Sequence, residues 1–299
     1  MLFLLPQAIA SGIVTGCVYA LIALAIVIVF KSTDVVNFAG GELVMIGAYI
    51  GLLCIVYFGA RYDVMVVVVL AAMILIGCLF QRITLEKITG RRFSASVDLV
   101  PLVVATIGFS YMLKGIVRIF PYTEEVRRLP PLVSGAPIFI GPVILQWQDV
   151  AILVATMLVM GLLTYFFQFS ESGKALRATS QNPRAAALSG IPVARMRMLA
   201  WALASAISGL AGILLAPKLL MTPDMGGVVM LAFAAAIVGG FTSLPGAVVG
   251  GIVIGIVQNV IGVLMTPQAI SVTPFFIIMV VLVLRPQGLF GDIIALKKV

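Results

Sequence analysis

Asn37 and Glu42, with Gly40 and Gly41 between them, stand at the start of a long apolar run. A polar or ionisable side chain in such a place costs a few kcal/mol unless it is paired or faces a wet cavity. Two roles fit the pair. Either they cap and pack a helix, with Glu42 favoured by the dipole of a helix N-terminus, or they gate a solute path, with Gly41 permitting local unwinding. Other chemistry is excluded by residue type. Histidine is absent, which removes Ser-His-Asp, Cys-His and His-metal arrangements together. Cys17, Cys54 and Cys78 lie in separate apolar runs without ligand spacing, as small core residues do, so neither a redox nor a metal site is expected. The only Gly-Lys pair, Gly173-Lys174, has Gln168 where a Walker A loop needs its first glycine and Ala175 where it needs Ser or Thr. No catalytic residue and no cofactor are expected in this chain. If ATP powers it, the hydrolysing subunit is separate.

The second stretch with chemical content is the polar connection 170–198. It is far longer than the 2 to 8 residues that join neighbouring helices. Asn182-Pro183 is a helix-start signature and Ser189-Gly190-Ile191-Pro192 a stop, which predicts a helix of about two turns over Pro183 to Ser189. That helix exposes Ala185, Ala186 and Leu188. Small alanines make it a poor membrane anchor, so a groove on a soluble partner is the favoured destination over a passive loop or lipid contact.

The elements that position these residues follow from hydropathy. Of the 299 residues, 62% are hydrophobic and 10% charged, and the mean hydropathy is +1.23. Soluble domains carry about 25% charged residues, so this is a membrane protein with no room for a separate soluble domain. The apolar runs predict an all-α, polytopic bundle of eight to nine spans, some broken or re-entrant. They cover 4–30, 35–58, 63–80, 99–120, 146–169, 198–216, 226–241, 245–265 and 272–284, with the seventh short for a full crossing. The first residues lack a basic n-region and a cleavage site, so the first run is expected to be retained as a span.

Net charge is +8, but the cations sit in short clusters between spans, as orientation signals do, and not as a nucleic-acid surface. Arg82, Lys87, Arg91 and Arg92 form one cluster. Lys174, Arg177, Arg184, Arg195 and Arg197 form the second, and Arg285, Lys297 and Lys298 the third. All three belong on the cytoplasmic side. Between 121 and 146 the charges Glu124, Glu125, Arg127 and Arg128 cancel, as expected of an ordered external loop. Alternation then places the N-terminus outside and the C-terminus inside. Lys114 and Arg118, four apart near the outer end of the fourth span, either attract a carboxylate or, by preference, snorkel to the interface.

Glycines four apart, Gly12 and Gly16, Gly47 and Gly51, Gly246 and Gly250, Gly251 and Gly255, clear helix faces for close packing. A weak echo repeats Ala25, Ile26, Val27, Phe30 and Ser32 as Ala236, Ile237, Val238, Phe241 and Ser243, either by chance or as a trace of repeated halves.

Four blocks carry a family resemblance: Asn37-Phe-Ala-Gly-Gly-Glu-Leu-Val-Met-Ile-Gly-Ala-Tyr, Asn182-Pro-Arg-Ala-Ala-Ala-Leu-Ser-Gly-Ile, Ala236-Ile-Val-Gly-Gly-Phe-Thr-Ser-Leu-Pro-Gly-Ala-Val-Val-Gly-Gly and Arg285-Pro-Gln-Gly-Leu-Phe-Gly. In that order they resemble the permease subunits of bacterial branched-chain amino acid ATP-binding-cassette importers, more closely the shorter of the two permeases. The resemblance implies a single permease domain over 1–299 in the inner membrane, moving branched-chain or other hydrophobic amino acids by alternating access. It implies as partners a second related permease, two cytoplasmic ATP-binding subunits and a periplasmic solute-binding protein. It also implies that Asn182, Pro183, Ala186, Gly190 and Ile191 belong to a coupling helix seated in the ATPase. The family usually has His where this chain has Gly40, so no role of that His transfers. Urea and short-chain amide importers share the permease type and stay open as alternatives. So do a stand-alone secondary transporter, which needs a mid-span coupling acid, and a channel, which needs no long cytoplasmic loop.

Overall fold

The computed structural model describes residues 4–90, 99–120, 128–133, 135–265, 267–285 and 287–291. The described residues form twelve α-helices, as lipid requires of a spanning chain whose backbone groups must be satisfied internally. They are α1 (Leu5–Thr33), α2 (Gly40–Leu52), α3 (Tyr62–Phe80), α4 (Glu86–Gly90), α5 (Leu99–Ile119), α6 (Trp147–Phe169), α7 (Glu171–Gln181), α8 (Pro183–Leu188), α9 (Val193–Leu215), α10 (Val229–Gly239), α11 (Leu244–Leu264) and α12 (Pro267–Leu284). Among these residues seven helical segments are long and apolar enough to cross a membrane, and Met225–Gly239 and Val272–Leu284 are shorter apolar helices. Each of the nine apolar runs meets one of these helices. Arg91, Arg92, Glu124, Glu125, Arg127, Lys297 and Lys298, on which part of the expected sidedness rests, lie outside the described residues.

Several boundaries differ from the hydropathy reading. The helix of the third run continues past Phe80 through a π-helical turn, Gln81–Leu85, into α4, so Arg82 and Lys87 stand on helix and not in a connection. α9 begins at Val193, which places Arg195 and Arg197 on its first turn and a half. The second helix starts only at Gly40, because residues 35–37 have no regular structure. In each case the hydropathy of a charged or polar turn hid a backbone that was still helical, or the reverse.

The chain divides into two compact units. The first comprises Met1–Val27, Pro130–Met157 and Val228–Val299. Its core is α11. A side chain at Gly12 would stand 2.6 Å from Ile256 Cα and one at Gly16 2.7 Å from Ile252 Cα, so α1 runs antiparallel to α11 in backbone contact. Gly239 meets Gly246 and Ala235 meets Gly250, which sets α10 antiparallel to α11 as well. A hairpin, β1 (Ile138–Ile140) and β2 (Val143–Leu145), pairs Ile138 with Leu145. Gln7 near the start of α1 holds it at both polar atoms: Oε1 accepts from the Ile144 N–H at 2.7 Å and Nε2 donates to the Ile144 carbonyl at 3.1 Å.

The second unit comprises Ile28–Leu129 and Leu158–Gly227. A side chain at Gly47 would stand 2.5 Å from Gly209 Cα, and Gly51 faces Ile213, so α2 and α9 run parallel. Gly77 faces Trp201 and Ser205 while Gly209 faces Met73, so α3 runs antiparallel to α9. Those directions match the alternation that the cationic clusters predict for the second, third and sixth spans. Trp201 is fully buried, edge-on to Phe80 with ring centroids 5.0 Å apart, and Phe80 stacks on Phe109 at 3.9 Å.

The short seventh run is divided between the 3-10 turn Met225–Val228 and α10, which at 11 residues rises only about 16 Å, well short of a bilayer's hydrocarbon core.

Candidate functional site

The cytoplasmic connection holds two helices where one was expected. Ser170 Oγ accepts from the Gly173 N–H at 2.9 Å and so caps α7, whose Gly173, Leu176 and Thr179 repeat every three residues as a buried stripe. Hydropathy passed over this helix because its other faces are polar. α8 begins where the Asn-Pro pair predicts. Asn182 Oδ1 accepts from the Arg184 N–H at 3.1 Å and from the Ala185 N–H at 3.0 Å, and Pro183 fills the first helical position.

The stop is equally local. Gly190 has φ +82°, the left-handed region a side chain disfavours. Its N–H donates to the Ala187 carbonyl and the Ile191 N–H to the Ala186 carbonyl, each at 3.0 Å, which is the Schellman pattern. One expectation is corrected. Ala186 is buried at 4% exposure, whereas Ala185 is exposed and Leu188 stands at 91%. A six-residue helix needs an inward anchor, and Ala186 is that anchor; Leu188 is the apolar side chain left outside.

Asn37 is 2% exposed, and its Oδ1 accepts from the Ala39 N–H at 3.0 Å, closing a turn just before α2. Thr106 of α5 reaches the same connector: its Oγ1 accepts from the Phe38 N–H at 3.5 Å, while its own proton goes to the Val103 carbonyl of α5 at 2.8 Å. Asn37 thus turns the backbone. Gly41 is buried beside Glu42, a half-buried residue in the first turn of α2. A side chain at Gly226 would stand 3.1 Å from Glu42 Oε1 and 3.2 Å from the Gly41 carbonyl carbon, so the 3-10 turn passes directly over the start of α2. Glu42 Oε2 is buried and makes no hydrogen bond among the described residues. The structure brings Gly41, Glu42 and Gly226 together.

Lys114 and Arg118 do not simply snorkel. Asp224 accepts from the Lys114 ammonium, and Arg118 Nη2 stands 3.5 Å from its other oxygen. Lys114, by hydrogen bond and charge, and Arg118 by charge hold the Asp224 carboxyl below the usual carboxylate range. Sequence reasoning missed Asp224, although an acid in the break before a short helix was a usable signal. Cys17 and Cys54 are buried and free, Cys78 half-buried and free, and no group of three or more potential metal ligands occurs among the described residues.

Comparison with known proteins gives one family and one architecture. Residues 8–284 match the model of the family described as branched-chain amino acid transport system / permease component. The chain is 30% identical to the high-affinity branched-chain amino acid transport system permease protein BraD of Pseudomonas aeruginosa over 295 residues, covering 95% of both chains. It is 29% identical to the high-affinity branched-chain amino acid transport system permease protein LivH of Escherichia coli K12 over 296 residues, again 95% of both. Among solved structures, PsaBC from Streptococcus pneumoniae in complex with Fab aligns with a TM-score of 0.50 at 15% identity, over 100% of this chain and 96% of that one. That likeness concerns the fold alone.

Proposed function

The chain belongs to the family of branched-chain amino acid transport system permease components, and from that premise we propose that it is the membrane subunit through which an ATP-driven importer passes branched-chain amino acids by alternating access. It is a multi-pass protein of the inner membrane. In this reading residues 1–299 act as one permease domain, paired with a second, related permease. Two cytoplasmic ATP-binding subunits hydrolyse ATP and a periplasmic binding protein delivers the solute; the chain itself carries out no hydrolysis.

The observation that carries the reading is α8. A helix of six residues is far below the length that is stable alone in water, yet this one is capped at both ends, anchored by Ala186 and left with Leu188 almost fully exposed. Such a helix is built to finish its packing in a partner's groove. Asn182, Pro183, Gly190 and Ile191 set its shape, and nucleotide-driven motion of the partner reaches the spans through it. Asn37, Gly41 and Glu42, with Gly226 across from them, form the gating element: a buried carboxylate oxygen without a partner sits where one unit's break in helical structure meets the start of α2.

The test is uptake of leucine, isoleucine and valine by proteoliposomes holding this chain with its second permease, ATPases and binding protein. Uptake that needs ATP and the binding protein supports the importer. Uptake by this chain alone, without nucleotide, would replace it with a channel or secondary transporter, and ATP-driven uptake of urea or a short-chain amide instead would move the substrate class.

A further inference from the structure

An apolar groove of about 880 Å³ runs along the second unit between α2, α3 and α5. Ile50, Leu79, Ile83, Met112 and Ile116 are among its walls, and the stacked rings of Phe80 and Phe109 lie along it. Its lining holds no charged residue; only Tyr49, Tyr57 and Thr84 carry polar atoms. An amino acid lodged there would have both its charges unpaired, so the groove is not a solute site.

From Ala105 to Phe120 the lining climbs about 22 Å along α5 at the helical rise, long enough for an extended acyl chain to lie along it.

One end of the groove is marked by charge. Ile76, Leu79 or Phe80, and Ile83 or Thr84 form one stripe along α3 and its π turn, and Lys87 lies one turn further on that stripe. Arg82 directly precedes Ile83. Both cations are exposed, and both belong to the cluster that the positive-inside rule assigns to the cytoplasmic side, with Glu86 as the intervening acid.

We propose that this groove holds the acyl chains of an anionic phospholipid from the inner leaflet, whose headgroup is met by Arg82 and Lys87. The aliphatic walls give affinity for the chains, and the two cations select a negative headgroup over a zwitterionic one.

Gly108 provides the test. It lines the groove in the middle of α5, and a Cβ added there meets nothing within 4 Å, so a large side chain enters the groove without moving backbone. The protein is purified in mild detergent, exchanged into phosphatidylglycerol or phosphatidylethanolamine of matched chains, and its retained lipid counted by native mass spectrometry. The wild type is expected to keep phosphatidylglycerol in preference. Gly108→Trp should lose retained lipid of both kinds. Arg82→Gln with Lys87→Gln should keep the chains but lose the preference, by about fivefold per cation removed. If Gly108→Trp fails to give monodisperse protein, Gly108→Leu serves in its place, and the exposed double variant is independent of both. Equal retention of the two lipids by the wild type, or undiminished lipid in the Gly108 variant, overturns the proposal. So does a Gly108 variant that sheds the second permease while keeping its lipid, which would make the groove a subunit interface.

Discussion

Arg118 Nη2 stands 3.5 Å from Asp224 Oδ2, on the opposite oxygen from the one Lys114 holds. The two cations, one helical turn apart on α5, tie down the stretch between α9 and α10 that carries Gly226 over Glu42.

Asp224→Asn should therefore lower the thermal midpoint in detergent, and the sign of its pH dependence follows. The Asp224 carboxyl is held below the ordinary carboxylate value of about 3.9. Its contribution is present above that value and disappears as pH falls through the lowered one. The gap between wild type and variant is expected to be full at pH 7, to narrow below about pH 4 and to shrink in high salt, because the carboxylate is exposed. A gap that persists unchanged into acid would mean that the pair is not its cause.

Glycines that look alike in sequence should divide by contact. A methyl at Gly212 meets the Val44 carbonyl and lies 3.0 Å from the Ala48 nitrogen, whereas one at Gly161 in α6 meets nothing. Gly212→Ala should cost about 1 to 3 kcal/mol and Gly161→Ala should be neutral or stabilise by up to about 1 kcal/mol. Thermal unfolding of the two purified variants decides it; equal midpoints would contradict the α2–α9 approach.

For coupling, Leu188→Asp changes an exposed side chain and should leave the melting behaviour alone while reducing copurification of the ATPase and uncoupling hydrolysis from uptake. Gly190→Val forces a branched residue into a φ of +82° and should do the same by reshaping the end of α8. Ala186→Asp, by contrast, should destabilise the loop itself, because Ala186 faces inward. Normal coupling in the Leu188 and Gly190 variants would remove α8 from the interface.

Replacing Glu42 by Ala is expected to reduce transport more than it reduces folded protein, since Oε2 has no hydrogen bond among the described residues to lose. Asn37→Ala removes the acceptor for the Ala39 N–H and should cost about 1 kcal/mol of stability as well. Uptake normalised to folded protein separates the two; proportional losses for Glu42→Ala would make it a packing residue.

With Cys17, Cys54 and Cys78 replaced, a cysteine at position 184 should be shielded from an impermeant thiol reagent in intact cells, and one at position 144 on the β hairpin should react. Labelling of position 184 from outside would invert the topology.

Much of the molecule was legible in the chain because its causes are local. Apolar runs must become helices in lipid, and Asn182-Pro183 and Gly190 start and stop α8 through bonds that span no more than one turn or so. Glycine spacing likewise announced close packing, since a bare backbone face is a property of one helix. Partners were another matter. Nothing in the sequence places Gly226 over Glu42, Asp224 between Lys114 and Arg118, or Gly47 against Gly209, because each pair is brought together by how α2, α5 and α9 pack. The inward face of Ala186 and the buried stripe of α7 were set in the same way. Hydropathy records how much of a helix is apolar, and only tertiary contact decides which neighbour that surface meets.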